Sequence, residues 1–79
     1  KVEVGNDWVE VAADSPPVYI RIRGKHKVEV VLTTGVPSAD NIGVVLDEGN
    51  PWINITSLET GDAVYVRALQ YPTEVSVIK

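Results

Sequence analysis

Glycine, proline, asparagine and aspartate recur so closely along this chain that no segment between them could hold a long helix, and the segments they bound alternate apolar and polar residues with a period of two. "GDAVYVRALQ", residues 61–70, shows the habit: Val64, Val66 and Ala68 fall on one face of an extended strand, Tyr65, Arg67 and Leu69 on the other. The same reading places strands over residues 2–4, 8–12, 18–23, 27–33, 42–46, 52–56, 63–69 and 74–78. Between them, Gly5-Asn6-Asp7, Pro16-Pro17, Gly24-Lys25, Gly35, Gly49-Asn50-Pro51, Gly61-Asp62 and Pro72 supply positive φ, fixed φ, or side chains that hydrogen-bond nearby backbone.

About seven or eight short strands joined by short turns predict an all-β protein, a small antiparallel β-sandwich or flattened barrel. Val18, Ile20, Ile22, Val28, Val30, Leu32, Val64, Val66, Val75 and Val77 are the expected core. Their neighbours Tyr19, Arg21, Arg23, Glu29, Tyr65, Arg67 and Glu74 are then expected on a charged and aromatic outer face. With neither phenylalanine nor methionine, the core is mostly β-branched, and the scaffold should be stiff.

Seventy-nine residues leave room for one hydrophobic core, so residues 1–79 are read as a single domain. The usual staples of small domains are missing, because there is no cysteine and only one histidine. Burial of apolar surface, in the sheets or against a neighbouring subunit, must serve instead. A formal net charge of −4 argues against nucleic acid as a partner, since that role needs many phosphates neutralised by Lys and Arg. No apolar run approaches the roughly 18 residues of a membrane-spanning helix, so no membrane partner is expected and the chain reads as soluble before any assembly.

The residues offer little for chemistry. A nucleophile needs an oriented base beside it, and the one histidine, His26, falls in a turn sequence flanked by Lys25 and Lys27. Asp47-Glu48 lack the spacing of an EF-hand calcium loop and read as a solvated turn. The glycines lie singly, so neither a phosphate-binding loop nor a dinucleotide fingerprint is present. The expectation is therefore a protein that is not an enzyme, with no catalytic residues, no cofactor and no metal.

Two features suit binding. Arg21, Arg23, Lys25 and Lys27 are four of the seven basic residues and crowd into what reads as one short hairpin. They can pair across strands with Glu29 and other carboxylates, or steer the protein onto an acidic partner surface. Trp8 and Trp52 are either core caps or anchors for a partner. With a tyrosine they allow a second reading, a carbohydrate-binding sandwich that stacks sugars on exposed rings.

In order, the segments "VGNDWVEVA", "VYIRIRGKHKVEVVL", "TTGVPSADNIGVVLDEG", "GDAVYVRAL" and "TEVSVI" resemble small virion-associated proteins of tailed bacteriophages. In those proteins a Trp-bearing first strand, a small-residue and proline loop and a late V-Y-V-R-A strand recur in compact β domains that decorate heads, form fibre bases or attach to tails. The resemblance covers most of the chain and implies a structural component of the particle surface. Its implied partners are copies of itself, as a homo-oligomer, and major capsid or tail proteins.

Overall fold

The computed structural model describes residues 2–13, 17–35, 37, 43–56 and 61–78, with backbone alone at 12 and 13. Eight strands follow one another: β1 (Val2–Val4), β2 (Val9–Ala13), β3 (Val18–Ile22), β4 (Val28–Thr34), β5 (Val44–Leu46), β6 (Trp52–Ile55), β7 (Asp62–Ala68) and β8 (Thr73–Ile78). Each lies within two residues of its expected bounds, because the alternation and the turn residues that set them are local signals.

The pairing follows one scheme. β4 pairs with β5, β3 with β6, β2 with β7 and β1 with β8, all antiparallel, as if one long hairpin had been folded at the β4–β5 link. This eight-stranded ribbon is then rolled so that β3 meets β8 and β4 meets β7. The result is two four-stranded sheets, a first in the order β1-β8-β3-β6 and a second in the order β2-β7-β4-β5. That strand order is the jelly-roll form of the β-sandwich.

Val18, Ile20, Val28, Val30, Val64, Val66 and Val75 are almost completely sequestered between the sheets, and Ile22 nearly so. Removing such a side chain from water stabilises by about 1.5–3 kcal/mol. Val4, Val11, Leu46 and Ile55, from strands of three to five residues, complete the core together with Ala68, which follows Val64 and Val66 on the inner face of β7. Leu32 departs from expectation at 40% exposed. β5 accompanies β4 only from Val28 to Val30, so at Leu32 the strand has lost that neighbour. Val77 packs against the core and is only partly buried.

The four links β1–β2, β3–β4, β5–β6 and β7–β8 each cross from one sheet to the other, at the same end of the sandwich. The expected hairpin around Gly24 is therefore an arch. β3 already bonds β6 and β8, and β4 already bonds β5 and β7, so neither has an edge left for the other. Backbone hydrogen bonds knit this end: Ala68 N to Gly5 O at 2.7 Å, Leu69 N to Lys27 O at 3.2 Å, and Ile22 N to Pro51 O at 3.0 Å. Asp47 shapes the β5–β6 turn, its Oδ1 accepting from the amides of Gly49 and Asn50 at 2.9 Å each.

Candidate functional site

The outer faces of the two sheets differ, and the single outer face expected from the sequence divides between them. Glu29, Tyr65 and Arg67 belong to the second sheet, Tyr19, Arg21 and Glu74 to the first, and Arg23 lies just past the end of β3, its amide donating to the Glu74 carbonyl.

On the second sheet, register places Glu29 of β4 directly opposite Arg67 of β7. Arg67 Nε donates to Glu29 Oε1 at 2.9 Å, and Nη2 lies 2.8 Å from the same oxygen. The other carboxylate oxygen, Oε2, accepts from the Gly43 amide at 2.9 Å. The Arg67 guanidinium also lies over the Trp8 ring, its carbon 4.3 Å from the ring centroid. Glu29 is thereby only 5% exposed on a face turned away from the core, and Tyr65 is buried beside it. A buried carboxylate demands a partner, and here a cation and a backbone amide supply it. Gly43 is required at its place, since any Cβ there would fall within the Val30 carbonyl. This assembly holds structure together and presents no open site.

On the first sheet the register builds a grid of six residues. Trp52, Arg21 and Ser76 form one row across β6, β3 and β8, and Asn54, Tyr19 and Ile78 form the next. Trp52 is 48% exposed and its ring stacks with that of Tyr19, centroids 5.7 Å apart and planes at 27°. Ile78 and Arg21 are exposed as well, as is Asn54. The two tryptophans thus sit on opposite sheets and cannot serve one ligand together; Trp52 has Tyr19 as its companion instead.

The basic cluster is spread over one end. Arg21 belongs to the open face just described, and Arg23 donates from Nη1 to Ser76 Oγ at 3.1 Å. Arg23 lines one shallow groove with Glu3 and Glu74, and another with Arg21 and Glu48. Lys25 and Lys27 remain exposed on the arch. None of the four pairs with Glu29, whose carboxylate is held by Arg67. His26, read from the sequence as a turn residue, is half-buried and tilts against Tyr71, with centroids 5.1 Å apart.

Two features had no advance signal. The Glu29–Arg67 clasp joins residues 38 apart, and the Tyr19–Trp52 stack depends on β3 lying beside β6. No protein-family model, curated protein or solved structure matches the chain. What its own geometry defines is a jelly-roll sandwich with one sheet face clasped and the other open.

Proposed function

We propose that this chain is a non-enzymatic structural protein of a phage particle, a head-decoration, head-fibre or tail-accessory component on the particle surface. It assembles with copies of itself and docks on capsid or tail protein. The observation that supports this reading best is the edge strand β5. Val44 and Val45 are 47% and 38% exposed on opposite faces of it, with the exposed Leu32 on the neighbouring β4. Free edges of soluble sheets are usually blunted by shortness, charge, proline or a bulge; β5, Val-Val-Leu, is short but carries neither charge nor proline, and its valines stand open. An apolar edge of this kind is stabilised when a neighbouring subunit covers it, and symmetric assembly is the economical way to do so. The resemblance to small virion proteins points the same way, and Lys25 and Lys27 on the arch supply charge that would steer approach to an acidic lattice.

Sedimentation of the isolated protein at micromolar concentration, beside co-sedimentation with assembled heads and tails, tests the proposal. The expected result is a homo-oligomer or stoichiometric attachment to particles, abolished by Val44→Lys with Val45→Lys while the thermal melt persists. A strict monomer that ignores such particles would overturn it.

A further inference from the structure

We infer that the open face of the first sheet is a glycan-binding site, selective for pyranose chains that bear carboxylates, such as uronic-acid polymers. The proposal is independent of the assembly reading, because its residues lie on β3, β6 and β8 and not on β5.

The grid of Trp52, Arg21, Ser76, Asn54, Tyr19 and Ile78 spans two inter-strand spacings, about 10 Å, by one side-chain repeat, about 7 Å. That is the footprint of a short sugar segment. Trp52 supplies an apolar ring face whose negative quadrupole attracts the polarised C–H groups of a pyranose. Its stack with Tyr19 orders the indole before any ligand arrives, so little rotamer freedom remains to be lost on binding. The exposed Asn54 carries both amide donors and a carbonyl acceptor, the complement of vicinal hydroxyls.

Arg21 decides the charge of the ligand. It stands directly opposite Trp52 in the β3–β6 register, is exposed, and has no ion-pair or hydrogen-bond partner among the described residues. A guanidinium beside a stacking ring can hold a sugar carboxylate bidentately, a contact that a neutral sugar cannot offer. A protein partner fits less well, because the apolar groups Trp52 and Ile78 sit in different rows at opposite ends of the grid, interleaved with polar ones. Single-stranded nucleic acid, the other ligand that stacks on tryptophan, calls for several aromatic platforms along a cationic groove, whereas this face offers one stacked pair beside Arg21.

Isothermal calorimetry with the full chain tests this, using oligogalacturonate as the charged probe, a cello-oligosaccharide as the neutral one and oligo-dT as the third. The expected result is preferential binding of oligogalacturonate. Trp52→Ala should abolish it, Trp52→Phe should retain part of it, and Trp8→Ala should leave it unchanged. Arg21→Gln should weaken the charged probe about tenfold or more and erase the preference over the neutral one. A thermal melt close to wild type in Trp52→Ala, together with unchanged sedimentation, ties the loss to the face itself. No binding of either sugar at millimolar concentration, binding that survives Trp52→Ala, equal affinity for both sugars, or binding of oligo-dT alone would each overturn the inference. Val44→Lys with Val45→Lys should leave sugar binding intact, so failure of the assembly proposal and failure of this one are read separately.

Discussion

Each sheet carries one tryptophan on its outer side, and the two are treated in opposite ways. Trp8 covers Arg67, which clasps Glu29, which in turn holds the amide of Gly43. Trp52 stacks with Tyr19 and leaves about half its surface to solvent. The same alternation of inward and outward residues produces both faces. Strand parity therefore decides which side of a sheet a residue occupies, but whether that side meets water depends on what the chain lays over it.

Breaking the clasp should have the largest effect. Arg67→Ala leaves Glu29 buried without its cation, and the expected cost is about 3–5 kcal/mol, read as a lower midpoint in denaturant titration. Replacing both partners, with Glu29→Leu and Arg67→Met, should restore most of that stability, because two apolar groups leave no stranded charge. A loss below about 1 kcal/mol for Arg67→Ala would mean that the pair behaves like an exposed one, and the contrast between the faces would collapse.

Gly43→Ala comes next. The added methyl must displace the Val30 carbonyl and disturb the amide that reaches Glu29, for an expected loss of about 1–3 kcal/mol. Gly49→Ala is the natural control, since a Cβ there meets only Asp47 Oδ1 at 3.5 Å, an ordinary contact. If the two variants melt together, the close approach at Gly43 is not what secures the second sheet.

The smallest expected stability effect belongs to the arch. Changing Lys25 and Lys27 to alanine should alter stability by no more than about 0.5 kcal/mol. The pair should instead slow association with an assembled particle, by a factor that shrinks as salt screens the attraction over a Debye length of about 10 Å at 0.1 M. A wild-type, salt-independent association rate would remove the arch from docking.

Strand positions were legible because the signals that set them, alternation and turn residues, are local. The wrap was not, since a period of two carries no information about which strands become neighbours. Leu32 illustrates the gap: its parity is that of a core residue, and its exposure follows from the shortness of β5. Glu29 is the converse. A carboxylate between Val28 and Val30 reads as outward and therefore wet, and its burial follows only once Arg67 is known to stand opposite. Of the candidate binding residues, Trp52 and Arg21 share a face, while Trp8 belongs to the clasp. Tyr19, the residue that turns Trp52 into an ordered platform, was visible as an outward aromatic but not as its companion.

The rolled ribbon has a consequence for how the protein comes into being. Among the strands, only β4 and β5 are neighbours both along the chain and within a sheet; every other pairing awaits a distant segment. Topologies dominated by such non-local pairing fold slowly, on the order of milliseconds to seconds. β8 lies between β1 and β3, and of the eight strands it is the last to be synthesised. Until it arrives, β1 has no partner and the first sheet is reduced to β3 and β6. Synthesis and folding are thus separated in time, and the nascent chain passes through an interval in which its valine-rich strands are open to one another and to other chains.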